Sequence, residues 1–264
     1  MKNSHSPLLT LMIRAIRKAQ KGLLRDFNEV ENLQVAKKGS GNFVTIADKR
    51  IEDFLEKELA LIKPGCSFLM EEKGEVEGRD GEFRFIIDPI DGTTNFIHAL
   101  PYFCITVALE QIINGKREII AAVTDVPILK ETYFAEKGKG AWMEDISGKI
   151  QRLRVARRKD LNDSVIAIGS FKNDFAIAGK LKDKVAAVRC MGSTALALAY
   201  VAAGKYDALI QSKLAYWDMA AGILFVKEAG GDISNFDLSD NFADSETCLA
   251  ANANLKLCLL PYIK

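Results

Sequence analysis

Carboxylates at the ends of apolar runs are the residues of this chain best placed to do chemistry. Glu71 and Glu72 follow Phe68-Leu69-Met70. Asp88-Pro89-Ile90-Asp91-Gly92-Thr93-Thr94 follows Phe85-Ile86-Ile87, and Asp218 follows Trp217 at the opening of an apolar helical stretch. In layered α/β proteins the strand ends open onto crevices where ligands bind. Pro89 fixes a backbone torsion and removes a donor, which places Asp88 and Asp91 across a tight turn. Two carboxylates that close repel unless a cation lies between them, and neither has a Lys or Arg beside it in sequence. Hard oxygen donors favour Mg²⁺ over zinc, and Mg²⁺ sites are completed by water and substrate phosphate. Gly92 permits close backbone approach, and Thr93-Thr94 is read as the cap of a helix start whose N–H groups suit a phosphate. The combination predicts metal-assisted hydrolysis of a phosphate ester. Taken singly, Glu71-Glu72 reads as a solvated turn, Asp91-Gly92 as an ordinary turn and Trp217-Asp218 as a helix cap; their joint occurrence carries the argument.

The elements that must position these groups follow from periodicity. Leu9, Met12, Ile13, Ile16, Ala19 and Leu23 recur at helical spacing, and a second helix runs from about Asp48 to Leu61 until Lys63-Pro64-Gly65 stops it. Short apolar or β-rich runs follow at Ser67–Met70, Phe83–Ile87, Phe103–Leu109, Ile119–Val126 and Thr132–Ala135. Gly138-Lys139-Gly140 reads as a turn. After Gly148 strands (Val165–Ile168, Leu209–Ile210, Asp232–Ser234, Thr247–Ala250) alternate with helices at Ser193–Ala203 and Trp217–Ala229. The expected architecture is α+β in two packed subdomains, residues 1–148 with most of the acidic groups and 149–264 supplying Asp218.

Composition excludes several other chemistries. Against 36 Lys+Arg stand 35 Asp+Glu, a formal net charge of +1, without the basic excess of a protein living on nucleic-acid phosphates. Only His5 and His98 are present, so a His-rich zinc site is excluded. The five cysteines form no C-x-x-C and read as small buried hydrophobes in a reducing compartment. The longest apolar run, Ala195–Ala203, is far below a membrane span, and the chain reads as cytoplasmic. The acidic loop at Asp237, Asp240, Asp244 and Glu246 lacks the glycine of a calcium-binding EF-hand loop.

The string from Phe85 to Phe96 resembles the central motif of the inositol monophosphatase family, Mg²⁺-dependent, lithium-sensitive sugar-phosphate phosphatases. The resemblance extends over nearly the whole chain. It takes in Lys38-Gly39 through Val44-Thr45-Ile46-Ala47-Asp48, Met70-Glu71-Glu72, and Trp217-Asp218-Met219-Ala220-Ala221-Gly222 through Gly231. It implies a layered αβαβα sandwich, a homodimer, two or three Mg²⁺ ions, and hydrolysis of a phosphate monoester of inositol or a related small sugar or polyol. Carried over by position, Glu71, Asp88 and the Ile90 carbonyl would hold one Mg²⁺, and Asp88, Asp91 and Asp218 a second, with Glu71 touching a looser third. Thr93, oriented by Asp48, would help Glu71 place and deprotonate the attacking water. The Gly92 and Thr93 N–H groups would bind phosphate, and Ser193, Thr194 and Gln211 would face the rest of the substrate.

Departures from the pattern bear on the substrate. Gln211 stands where the family usually has a polyol-gripping glutamate, and Ser212-Lys213-Leu214-Ala215-Tyr216 lacks its usual Gly and Pro. Asn42 replaces a common Asp, and Met70 a common Gly. The dense basic stretch Arg152, Arg154, Arg157, Arg158 and Lys159 reads as a solvated face. The alternatives are a related phosphatase of the same superfamily with another small phosphate substrate, or a non-catalytic regulatory role with a nucleic-acid or polymerase partner.

Overall fold

The computed structural model describes residues 6–28, 35–37 and 43–263; His5, Lys38-Gly39 and Asn42 lie outside them. Helix α1 (Pro7–Phe27) begins where Ser6 accepts the Leu9 amide at 3.1 Å and Pro7 fixes the first φ. Its stripe Leu9, Met12, Ile13, Ile16, Ala19 and Leu23 is buried, as the spacing predicts. A two-stranded ribbon, β1 (Val35–Lys37) with β2 (Phe43–Thr45), leads into α2 (Ile46–Ile62). Next come β3 (Ser67–Met70), β4 (Gly74–Val76), β5 (Phe83–Asp91), α3 (Thr93–Ile97), β6 (Cys104–Ile113), β7 (Lys116–Val126), β8 (Glu131–Glu136), β9 (Gly140–Glu144) and β10 (Ile150–Arg152). The second half holds β11 (Val165–Ile168), α4 (Lys172–Leu181), β12 (Ala187–Arg189), α5 (Thr194–Ala202), β13 (Ala208–Ser212), α6 (Tyr216–Glu228), β14 (Asp232–Ser234), β15 (Thr247–Ala251) and α7 (Ala253–Ile263).

Besides the β1–β2 ribbon, the described residues form two larger sheets, an eight-stranded one ordered β10-β9-β8-β7-β6-β5-β3-β4 and a five-stranded one ordered β12-β11-β13-β15-β14. Alternation of side chains along the central strands separates the cores. Phe85, Ile87, Ile105, Val107 and Leu109 pack with α1 and α2 on one face, whereas Ile86, Cys104 and Ala108 face α5 and α6 on the other. The same α5–α6 layer meets the second sheet through Ala167, Leu209 and Ala250. The far face of that sheet, Ile166, Ile168, Ile210 and Leu249, is covered by Ile177 and Leu181 of α4 and Leu255 and Leu259 of α7. The layers therefore run α, β, α, β, α, the expected sandwich.

Several details differ from expectation. Strands β4, β10 and β12 are three residues each and β9 five, too short for a periodic signal, and α7 carries Pro261 inside the helix. The pairing of β10 with β9 keeps residues up to Arg152 in the first sheet, so the change of sheet falls between Arg152 and Val165. Cys66, Cys104 and Cys248 are buried as expected, but Cys190 and Cys258 are exposed. Among the described residues, no helix is long and apolar enough to cross a membrane.

Candidate active site

The tight turn expected at Asp88–Asp91 is a bulge inside β5, which continues through Asp91 instead of ending at Ile87. Asp88 faces Thr106 and Asp91 faces Cys104, so three residues of advance on β5 meet two on β6. On a regular strand residues three apart point to opposite faces. One extra residue reverses that parity and returns Asp91 to the side of Asp88. Proline lacks an N–H, which makes Pro89 a natural place for the ladder to break. The Ile90 amide instead donates to Asp88 Oδ1 at 3.0 Å.

Gly92 then turns the chain into α3. Its φ of 96° and the 2.9 Å between a built Cβ and the Tyr102 carbonyl oxygen leave no room for another residue. Gly92, not Thr93 or Thr94, is the N-cap, and no side chain caps the helix. Thr93 lies in the first turn, and its hydroxyl donates to the Ile90 carbonyl at 2.9 Å, so that proton is not directed at Asp48. Asn95 ties this turn to the second half of the chain, its Nδ2 donating to the Tyr102 carbonyl at 2.6 Å and the Met191 carbonyl at 2.7 Å.

Asp91 is clamped by the start of α5. The Ser193 hydroxyl donates to Oδ2 at 2.5 Å, the Ala195 amide to Oδ2 at 2.7 Å and the Thr194 amide to Oδ1 at 3.1 Å. A carboxylate from β5 thus serves the amides that begin a helix more than a hundred residues later. Ser193 and Thr194 are buried, and Thr194 Oγ1 accepts from Gln211 Nε2 at 2.9 Å. Gln211, half-buried on β13, lies against Gly169, where a Cβ would come within 2.5 Å of its Cγ.

Asp218 sits in the first turn of α6 and accepts the Ala215 amide at 2.9 Å, so the helix-capping reading holds alongside a place in the cluster. Carboxylate oxygens of Asp88, Asp91 and Asp218 all lie within 4.8 Å of one another. Glu71 follows the last residue of β3, where its charge acts on Asp88, and Asp48 is buried in the first turn of α2. Sequence reasoning missed Glu52. It lies one turn beyond Asp48, on the same face of α2, and is fully buried. Its Oε2 accepts the Glu72 amide at 2.8 Å, which secures the strand end carrying Glu71.

The electrostatics record the crowding. Burial, then the carboxylates of Asp48, Asp218 and Glu72, push the Glu71 carboxyl up to about 8. Burial and the neighbouring Asp91 push Asp218 up to about 7. Asp88 is raised by burial and then by Glu71, Asp91, Asp218 and Asp48. Burial also raises Asp91, against the opposing hydrogen bonds from α5. Every charge that raises these groups is another carboxylate, so an added divalent cation is the complement the donor set fits.

A five-layered α+β sandwich with converging carboxylates at its strand ends is the architecture of the layered sugar-phosphate phosphatases. The chain belongs to the inositol monophosphatase family, whose profile matches residues 4–263, and is accordingly a phosphoric monoester hydrolase. It is 42% identical over 268 residues to the inositol-1-monophosphatase of Mesorhizobium japonicum, covering 99% of this chain and 97% of that protein. The Nus factor SuhB of Escherichia coli strain K12 is 36% identical, over 96% of this chain and 94% of its own. The crystal structure of extragenic suppressor protein suhB from Bartonella henselae superposes with a TM-score of 0.91 at 39% identity, covering 98% of this chain and 99% of that one.

Proposed function

We propose that this phosphatase hydrolyses a phosphate monoester of inositol or a related small sugar or polyol, with two or three Mg²⁺ ions. The convergence of Asp88, Asp91 and Asp218 carries the reading. Glu71, Asp88 and the Ile90 carbonyl would hold one ion, Asp88, Asp91 and Asp218 another, and Glu71 a looser third. When bound, Mg²⁺ supplies positive charge against the phosphoryl oxygens and acidifies water. The chain's own groups do the rest. Glu71 accepts a proton from the attacking water, with Thr93 and Asp48 positioning it. The Gly92 and Thr93 amides take phosphate oxygens. Gln211, steadied by Thr194, meets the polyol, and Ser193 contributes by holding Asp91. In this reading the enzyme is a cytoplasmic, lithium-sensitive homodimer, and two subdomains, with the change of sheet between Arg152 and Val165, each contribute to one site. Phosphate release from inositol 1-phosphate, glycerol 2-phosphate and hexose phosphates, with and without Mg²⁺ and Li⁺, tests it. Activity independent of Mg²⁺ overturns it.

A second reading, association with nucleic acid or polymerase, draws on the relatives named as Nus factors and on the exposed basic stretch from Arg152 to Lys159. Arg158 is already paired with Asp207 at 2.6 Å, and Arg152 lies over Trp142. The carboxylate cluster has no use in such a role. Gel-shift titration with RNA separates the two readings.

A further inference from the structure

Helix α6 carries Asp218, but a buried tether outside the acidic cluster holds its first residue. The Tyr216 hydroxyl donates to Glu110 Oε1 at 2.5 Å. Glu110, on β6, is 1% exposed, and its other oxygen accepts from Arg84 Nε at 2.9 Å and Nη2 at 2.8 Å. Arg84 faces Glu110 across the β5–β6 ladder and reaches Glu75 on β4 at 2.9 Å through Nη1. The chain of contacts therefore runs from the start of α6 into the strand that ends in Asp88 and Asp91. Arg84, Ile86 and Asp88 alternate along the same face of β5, the face turned toward α6. Position 216 is the first of the helix, where proline would hold φ near its helical value. Tyrosine offers no such restraint, and Ala215 before it has no side chain able to cap.

We propose that Tyr216, through Glu110 and Arg84, is a positioning residue for Asp218. It anchors the first turn of α6 to β5 and β6 so that the Asp218 carboxylate is held toward Asp88 and Asp91. The inference rests on the reading of Asp218 as a metal ligand. The contacts carry it because the partner of the phenol is itself immobilised. Glu110 accepts from two guanidinium nitrogens, so the hydroxyl bonds to a fixed point, and hydrogen bonds to charged acceptors are the stronger kind. Tyr216 and Glu110 also line a cavity of about 540 Å³. In Tyr216→Phe the lost hydroxyl leaves space that water from this cavity fills, and the ring packing stays in place.

The test is calorimetric titration of the full-length protein with Mg²⁺ and with Mn²⁺, for the wild type, Tyr216→Phe and Asp218→Asn. Hydrogen exchange of the amides of residues 216–220 is measured in parallel. Asp218→Asn is expected to weaken ion binding by more than about tenfold, and Tyr216→Phe by about three- to tenfold, less than the full worth of one charge-assisted hydrogen bond because the phenol acts on the ion only through the position of Asp218. In Tyr216→Phe, exchange at 216–220 speeds up, the metal-free melting temperature falls by only a few degrees, and the Mg²⁺ needed for half-maximal activity rises more than kcat falls. If Asp218→Asn weakens binding and Tyr216→Phe does not, the tether is overturned and the metal reading stands. If Asp218→Asn leaves binding intact, the metal reading falls and the tether with it. Unchanged exchange at 216–220 in Tyr216→Phe overturns the tether by itself.

Discussion

Asp91 and Asp218 both carry negative charge into one cluster, yet the chain holds them differently. Asp91 accepts three hydrogen bonds from the start of α5, and Asp218 accepts one, from the Ala215 amide. Asp218→Asn keeps an acceptor oxygen for Ala215 and removes the anion. Turnover is expected to fall by about 10²-fold or more with the fold intact, since cation-held charge at such a site supplies several kcal/mol of transition-state stabilisation. Asp91→Asn keeps one acceptor oxygen but turns its NH₂ group toward at least one of the three donors, and should lose about 1–3 kcal/mol of stability as well. Phosphate-release assays paired with urea unfolding of both variants check the contrast. Gln211 supplies the second prediction at this scale. Its Nε2 is committed to Thr194 Oγ1, which leaves the amide oxygen for a ligand. In Gln211→Glu the Thr194 hydroxyl turns to donate, and a charged acceptor faces the polyol. The ratio of kcat/KM for inositol 1-phosphate over glycerol 2-phosphate should rise, by about five- to tenfold for one strengthened hydrogen bond. An unchanged ratio places polyol selection away from residue 211.

At the scale of elements, α1 is docked on the first sheet through a polar contact beside its apolar stripe. Arg17 donates to Thr132 on β8 at 3.3 Å and pairs with Glu144 on β9 at 2.8 Å. The Thr132 hydroxyl donates to Asp125 on β7 at 2.8 Å. Asp125 is 2% exposed, and burial pushes its carboxyl up to about 6, while Thr132 and Arg17 pull it down and Glu144 raises it. A carboxyl raised in the folded state from its usual 3.8 lends stability that is complete below that value and is lost as pH rises through about 6. Asp125→Asn abolishes this titration while keeping an acceptor for Thr132. Relative to wild type, the variant should gain about 2 kcal/mol between pH 4.5 and 7. Urea denaturation at the two pH values measures it, and a constant difference between the proteins refutes it.

At the scale of the whole molecule, the α5–α6 layer is the joint between the sheets, and it holds both the donors to Asp91 and Asp218 itself. The two helices pack closely at Gly222, where a Cβ would lie 2.3 Å from Leu198 Cδ1 and 2.4 Å from its Cβ. The nearer atom could rotate away, but Leu198 Cβ is fixed to the backbone, so the helices must separate. Gly222→Ala is expected to cost about 1–3 kcal/mol. Activity should fall with it, because the separation moves Asp218 relative to the Asp91 clamp. Chemical unfolding and kcat measured on the same preparation check both effects; a destabilised variant with full kcat would show that the site tolerates movement of this layer.

What the sequence determined by itself is what local pattern encodes. The stripes of α1 and α2, the apolar strands leading to Glu71 and Asp88, and the apolar helix opening at Asp218 are all periodic over their own length, so each was legible without the rest of the molecule. The acidic residues were legible too, because a carboxylate after an apolar run needs a partner. The tertiary structure alone decided how these groups meet. Asp91 lies 102 positions from Ser193 and Tyr216 lies 106 from Glu110, and no short-range pattern relates residues so far apart. The β5 bulge needs β6 as its partner before an extra residue has meaning. The short strands β4, β10 and β12 take their hydrogen bonds from neighbours and have too few residues to show alternation. Helix α4 has mixed polarity and became a helix by covering the far face of the second sheet. Backbone periodicity is set within a few residues, whereas the convergence of buried charges is set by how five layers stack, and that stacking is a property of the folded chain as a whole.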